Sequence, residues 1–185
     1  MRFRASEVAE AVGGELIDDD VVLDGATQDS RTVTRGCLFV PLVAERDGHD
    51  FIDSAVANGA GAHLTSGAPG PGSAIRVADT AVALCDLGWA ARASTEARVV
   101  AVTGSVGKTS VKDLTASVLS RGGPTHAGEQ SFNNEIGVPL TLLGAPDDVD
   151  FLVLEMGARA AGDITSLSAI ARPDVGVVTT VGMAH

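Results

Sequence analysis

The stretch VVAVTGSVGKTSVKDL, residues 99–114, joins an apolar β-branched run to a glycine-bracketed turn with one lysine, and then to a helical pattern. These residue types in this order suit one chemistry, the gripping of phosphate. Gly104 and Gly107 let the backbone turn its N–H groups inward without a Cβ clash. The donors of the turn and of the helix N-terminus can then meet phosphate oxygens. In this reading Thr103, Gly104, Ser105, Val106, Gly107, Lys108, Thr109 and Ser110 form the loop. Lys108 reaches the β- and γ-phosphates of a nucleotide such as ATP, and the Thr109 hydroxyl ligates Mg²⁺. The spacing departs from the strict G-x-x-x-x-G-K-[ST] pattern, because Val102 stands where its first glycine belongs. The rival is a glycine-rich turn with a solvated lysine, and the strand, the GKT tripeptide and the helix together argue against it.

Other chemistry-bearing residues lie downstream. Glu155 in FLVLEMGA ends an apolar run, where an uncompensated carboxylate is costly. It admits two roles, a magnesium ligand or a helix cap. Asn133 and Asn134 in SFNNEIGVPL precede a helical pattern, where capping and substrate contact are equally open. His185 follows VGVVTTV and is the last residue, so on its own it reads as a bystander more readily than as a ligand. Cys37 and Cys85 sit in apolar patterns without metal-ligand spacing and read as reduced core thiols.

The elements that must position these groups fall into two sets. Residues 1–95 read as short mixed elements: a helix in ASEVAEAVGG capped by Ser6, a buried strand in GCLFVPLV, then a helix and strand in DFIDSAVANGAGAHLTS. AIRV is a further strand and TAVALCDLGWAARAST an amphipathic helix. From residue 98 the rhythm changes. RVVAVTG, FLVLEMG and VGVVTTV are apolar runs of the kind buried on both faces of a parallel sheet, with helical stretches between them. The fold class is therefore α/β: a small mixed domain over residues 1–95, then a P-loop parallel-sheet domain over 96–185, with the boundary near residues 94–98. The chain stops at VGMAH just after a strand, where such a sheet normally continues. The second domain thus reads as cut short, with an exposed edge prone to self-association.

Composition narrows the partners. The 185 residues carry a formal net charge of -11 and only 3% aromatics, which opposes nonspecific binding to nucleic acid or anionic membrane and an aromatic platform for single strands. No apolar run is long enough to cross a membrane, and the first residues have charge where a signal peptide needs an apolar core, so a cytoplasmic location is expected.

Four segments in order and spacing, AVTGSVGKTSVKDL, SFNNEIGVPLTLL, LEMGARAAGDI and ARPDVGVVTTVGMAH, resemble the Mur ligase family. Upstream, DSRTVTRGCLFVPLVAERDGHDFIDSAVANGAGAHL is similar to that family's uridine-nucleotide-binding domain. The resemblance implies an ATP- and Mg²⁺-dependent amide ligase of peptidoglycan precursor synthesis, acting on UDP-N-acetylmuramoyl-tripeptide and D-alanyl-D-alanine through an acyl phosphate. It implies roles residue by residue. Lys108 takes the phosphate; Thr109 and Glu155 hold magnesium; His185 helps hold a second magnesium. Asn133 and Asn134 line the muramoyl-peptide cleft, and Ser30 and Arg31 meet the UDP moiety. Ala44 replaces a frequent glycine and Ala160 a common histidine. The family's remaining sheet strands, its C-terminal domain and their substrate contacts are not in the chain, so these residues alone are expected to be inactive, a substrate-binding portion only. A P-loop switch without a uridine site is the competing class, and uridine nucleotide binding separates the two.

Overall fold

The computed structural model describes residues 1–129 and 132–182. Two compact units divide the chain, Met1–Leu87 and Gly88–His185. The division falls inside a helix, several residues before the expected 94–98. The reason lies in the helix's second half. A Cβ on Gly88 would come within 2.9 Å of Pro139 Cα, and the Arg92 guanidinium donates to the carbonyls of Ala171 and Arg172, so these residues pack with the second unit.

The first unit contains β1 (Arg2–Arg4), α1 (Ala5–Ala11), β2 (Glu15–Ile17), β3 (Val22–Asp24), β4 (Ala26–Thr27) and β5 (Leu38–Phe39). A 3-10 turn (Gly48–Phe51) leads into α2 (Ile52–Ala57), followed by β6 (Ala62–Thr65), β7 (Ser73–Arg76) and the start of α3 (Thr80–Ser94). The order β2-β7-β6-β5-β4 makes one sheet, parallel except for β2, and β1 pairs β3 separately. Leu38, Phe39, Val40, Leu64, Ile75 and Leu84 are its buried centre. The four strands before residue 28 are only two or three residues long, which is why periodicity does not find them. Ser6 is not the cap of α1. The Glu7 carboxylate accepts the Arg4 N–H at 2.6 Å and the Asp20 carboxylate accepts the Ser6 N–H at 3.0 Å, so acids meet the free donors of the first turn.

The second unit contains β8 (Arg98–Thr103), α4 (Lys108–Leu119), β9 (Thr125–Ala127), α5 (Gly137–Leu143), β10 (Phe151–Glu155), α6 (Asp163–Ala171) and β11 (Val175–Val178). Its strand order is β11-β8-β10-β9, all parallel. Leu152, Val153 and Leu154 are buried on both faces of β10, each contributing on the order of 1.5–3 kcal/mol by leaving water. The expectation of burial on both faces fails at β11. It pairs only with β8 among the described residues and leaves Val175 and Val178 exposed. β9, Thr-His-Ala, is a short edge strand that no apolar run announces.

Register decides what the sheet can do. Glu155 lies opposite Val102, and Val178 opposite Thr103, so three parallel strands end at one edge of the sheet. The chain leaves β8 toward β9 on one side and returns to β11 on the other. That reversal opens a crevice at the carboxyl ends of the strands, where α/β sheets bind ligands.

Candidate functional site

The turn after β8 has the backbone the glycines foretell. Gly104 has φ +133° and Gly107 has φ +84°, and α4 starts at Lys108. The two glycines are required for different reasons. A Cβ on Gly107 would meet nothing within 4 Å, so only backbone conformation is at stake. A Cβ on Gly104 would collide with the Thr179 hydroxyl and come within 2.9 Å of the Thr180 carbonyl oxygen. Gly107→Ala is expected to cost about 1 kcal/mol. Gly104→Ala adds the collision and is expected to cost about 1–3 kcal/mol. Urea unfolding of the two variants checks the difference, and equal midpoints would contradict it.

The N–H groups of Val106 through Ser110 have no hydrogen-bond partner among the described residues, so a row of donors stands at the helix N-terminus. Ser105 is different. Its N–H donates to the Thr180 carbonyl at 2.9 Å and its hydroxyl to the Gly182 carbonyl at 3.0 Å, so it faces away from that row. Lys108 folds back, its Nζ donating to the Gly104 carbonyl at 2.9 Å. An anion entering the loop offers that ammonium a charged partner in place of a neutral carbonyl, a stronger hydrogen bond.

Glu155, at the end of β10, is only 3% exposed. Its Oε2 accepts the Thr109 hydroxyl at 2.7 Å and its Oε1 accepts the Asn133 amide at 2.9 Å. The carboxylate is therefore compensated by two side chains rather than by a helix terminus. The Asn133 backbone carbonyl in turn accepts the Gly157 N–H at 2.7 Å, which closes the Asn133 loop onto the residue two places past Glu155. Asn134 does cap: its Oδ1 accepts the N–H of Gly137 at 2.9 Å and of Ile136 at 3.3 Å, starting α5. Lys108, Asn133, Asn134, Gly157, Arg159 and Asp163 are among the residues lining one cleft of about 780 Å³. The far wall is held by Asp163. Its carboxylate accepts the N–H groups of Arg159 and Ala160 at 2.7 and 2.8 Å, and these two bonds, Arg159's first, hold its pKa below the usual range.

Thr109, Asn133 and Glu155 thus come together beside the cleft that Lys108 and Asn133 line, and His185 lies outside the described residues. Sequence reasoning missed Lys112, one helical turn beyond Lys108. It is 3% exposed and donates to the Gly128 carbonyl at 2.5 Å, while Leu114 and Val118 of the same helix face solvent. It also missed Thr179 and Thr180, which hydroxyl-rich VVTTV after a strand could have flagged. Arg159 was missed too; a lone arginine carries no pattern.

Ser30 and Arg31 belong to the first unit. Ser30 is buried, and its carbonyl accepts the Asn58 side-chain amide at 2.8 Å. Arg31 is exposed but clamped: its Nε donates to Asp29 Oδ1 at 2.9 Å, its second guanidinium nitrogen to Oδ2 at 2.6 Å, and its N–H to Oδ1 at 2.9 Å. The Arg31 guanidinium first, and its N–H second, lower the Asp29 pKa to about 2. A folded pKa below the unfolded ~3.9 stabilises at higher pH. The clamp should be complete above about pH 4 and lost as pH falls toward 2. NMR titration of the Asp29 carboxyl carbon is expected to give a midpoint near 2. Arg31→Ala is expected to return it toward about 3.9; an unchanged midpoint would show that Arg31 is not the cause.

A family model described as the Mur ligase middle domain matches residues 102–185. UDP-N-acetylmuramoyl-tripeptide–D-alanyl-D-alanine ligase of Escherichia coli is 43% identical over 97% of the chain, and that of Bacillus subtilis 40% identical over 96%. The chain spans about two fifths of the length of these curated relatives, 40% and 41%. The ligase structure from Acinetobacter baumannii superposes over 100% of the chain and 43% of its own, with a TM-score of 0.90 and 31% identity. The MurF ligase of Thermotoga maritima, solved in complex with ADP, covers 87% of this chain and 38% of its own at a TM-score of 0.75 and 35% identity. Glycine turn, buried glutamate and paired asparagines sit on a sheet shared with these ligases, and the chain belongs to the Mur ligase family.

Proposed function

We propose that this chain carries the phosphate grip and the uridine-substrate unit of a cytoplasmic ligase that joins D-alanyl-D-alanine to UDP-N-acetylmuramoyl-tripeptide. The observation that carries the reading is the convergence of Lys108, Thr109, Glu155 and Asn133 at the carboxyl end of a parallel sheet, beside a polar cleft. The reaction class moves the terminal phosphoryl of ATP to the peptide carboxylate, giving an acyl phosphate, and the dipeptide amine then displaces inorganic phosphate. Such chemistry needs positioning and charge neutralisation more than a protein nucleophile.

Each residue then has a task. The N–H groups of Val106 to Ser110 receive phosphate oxygens, and Lys108 exchanges the Gly104 carbonyl for phosphate. Asn133 and Asn134 present the cleft to the muramoyl-peptide. Ser30 and the clamped Arg31 take the UDP end in their own unit. The Thr109 hydroxyl and the Glu155 carboxylate are oxygen donors already in contact, and they fit a small hard cation that keeps much of its water and shares phosphate oxygens. Magnesium held there supplies charge neutralisation at the transferring phosphoryl. The second-magnesium role of His185 is part of the same reading. The exposed outer edge of β11 supports self-association of the chain.

The experiment is calorimetry of the chain with UDP-N-acetylmuramoyl-tripeptide and with a UDP-free muramoyl-tripeptide. Binding that depends on the uridine end supports the ligase reading. Magnesium-nucleotide binding without any uridine binding would favour a P-loop switch instead.

A further inference from the structure

The segment after β11 does more than leave the sheet. Residues 179–182 lie along the outer side of the phosphate loop and bond to it repeatedly. The Ser105 N–H reaches Thr180 O at 2.9 Å, and the Ser105 hydroxyl and Gly182 are joined through both Gly182 backbone groups, at 3.0 and 3.1 Å. The Thr179 hydroxyl donates to Val106 O at 2.7 Å, with Thr103 O a more distant acceptor at 3.3 Å; the Thr180 hydroxyl stands 3.5 Å from Val106 O. The Thr179 N–H reaches Thr103 O at 2.9 Å, which extends the β8 ladder into the segment.

Val106 O is the acceptor that matters. In a trans peptide the C=O and the following N–H point in opposite directions, since the six atoms lie in one plane. A hydroxyl that holds Val106 O on the outer face therefore turns the Gly107 N–H inward, toward the place where the donor row faces. Val106 is 73% exposed and Gly107 has open space around it, so no side-chain packing fixes that peptide. The freedom of φ that glycine gives Gly107 also lets the peptide flip. A flipped peptide would aim a carbonyl at the phosphate, a repulsive contact in place of a hydrogen bond.

We propose that Thr179 is a positioning residue of the phosphate site: its hydroxyl fixes the Val106–Gly107 peptide in the phosphate-accepting orientation before nucleotide binds. The inference rests on the phosphate-loop reading above. It assigns to the sequence TT after β11 a role distinct from strand formation, and it explains why position 104 leaves no room for a side chain. The hydroxyl is the operative group, so serine should serve and valine should not.

The test is NMR titration of the 185-residue chain with magnesium-ATP, following the amides of residues 104–110, for wild type, Thr179→Val, Thr179→Ser and Lys108→Ala. The Val106 carbonyl-carbon resonance is read in the unliganded proteins as well, because a general loss of stability does not single it out. Thr179→Val is expected to weaken binding roughly tenfold, one net hydrogen bond's worth, and to shift the Val106 carbonyl resonance. Thr179→Ser is expected to stay within about twofold of wild type. Thr179→Ala replaces the valine variant if that one does not fold. A Thr179→Val protein that binds as wild type does while Lys108→Ala loses binding would overturn the proposal and leave the phosphate site standing. Unchanged binding in Lys108→Ala would overturn the phosphate-loop reading, and this inference with it.

Discussion

Lys108→Ala is expected to lower the affinity for magnesium-ATP by roughly ten- to a hundredfold, and to leave the affinity for UDP-N-acetylmuramoyl-tripeptide within about twofold. The first figure follows from losing a hydrogen bond to a charged group, worth about 1.5–3 kcal/mol. In the structure the ammonium rests on the Gly104 carbonyl, a neutral acceptor it can leave at small cost for a phosphate oxygen. The second figure follows because the uridine end is expected to carry most of that ligand's affinity, and Ser30 and Arg31 belong to the unit Met1–Leu87 while Lys108 belongs to the unit Gly88–His185. Stability should change little, because Lys108 is only half-buried and its bond to Gly104 is local. Parallel titrations of the variant with the two ligands check both arms. Equal losses for both ligands would point to unfolding rather than to a phosphate contact.

Glu155→Gln has a different expected signature, a loss of both stability and magnesium response. The carboxylate accepts from the Thr109 hydroxyl and from the Asn133 amide, one donor on each oxygen. A glutamine offers one acceptor and turns an NH₂ group toward the other donor. At 3% exposure no water relieves that conflict, so the variant should lose about 1–3 kcal/mol. The Thr109 hydroxyl can rotate to accept from the new NH₂, which favours the lower half of that range. The neutral amide also removes the carboxylate charge that sits against the Thr109 hydroxyl, so added magnesium should no longer strengthen ATP binding. Urea unfolding and ATP titrations with and without magnesium read the two effects separately. A variant that is destabilised yet keeps its magnesium response would return Glu155 to a purely structural role.

Much of the fold was legible because the second unit speaks in long apolar runs. β8 and β10 are buried on both faces and read as such, and the GKT turn between β8 and α4 could be placed by context alone. What stayed hidden was hidden for physical reasons. β1 to β4 and β9 are two or three residues long and draw their stability from neighbours across the sheet, which local sequence does not record. Ser6 has the right chemistry for a cap, but Asp20, fourteen positions away, supplies a charged acceptor that no local window contains. β11 looks like a core strand by composition, yet among the described residues it pairs with β8 alone. Lys112 reads as one more solvated charge, yet the geometry of α4 turns it onto the Gly128 carbonyl and leaves Leu114 outside.

The site was legible by residue type and illegible by partner. Glu155 could be singled out because a carboxylate at the end of an apolar run demands compensation. That the compensation comes from Thr109 and Asn133, 46 and 22 positions away, is a product of parallel register. Of Asn133 and Asn134, ambiguous as a pair, Asn134 caps α5, while Asn133 takes a role neither alternative named and donates to the glutamate. The Asp29–Arg31 clamp needed only two positions of spacing, and still its tightness rests on the guanidinium and the backbone N–H acting together.

The central claim is that one chain holds a nucleotide-phosphate grip in its second unit and a uridine-substrate site in its first. The most direct measurement is a pair of amide-resolved NMR titrations of the same labelled chain, one with magnesium-ATP and one with UDP-N-acetylmuramoyl-tripeptide. The account predicts that magnesium-ATP moves the resonances of Val106 to Ser110 and leaves Ser30 and Arg31 in place, while the uridine substrate moves Ser30, Arg31 and their neighbours. Magnesium-ATP that shifts nothing between residues 104 and 110, or a uridine substrate that leaves Ser30 and Arg31 unmoved, would contradict it.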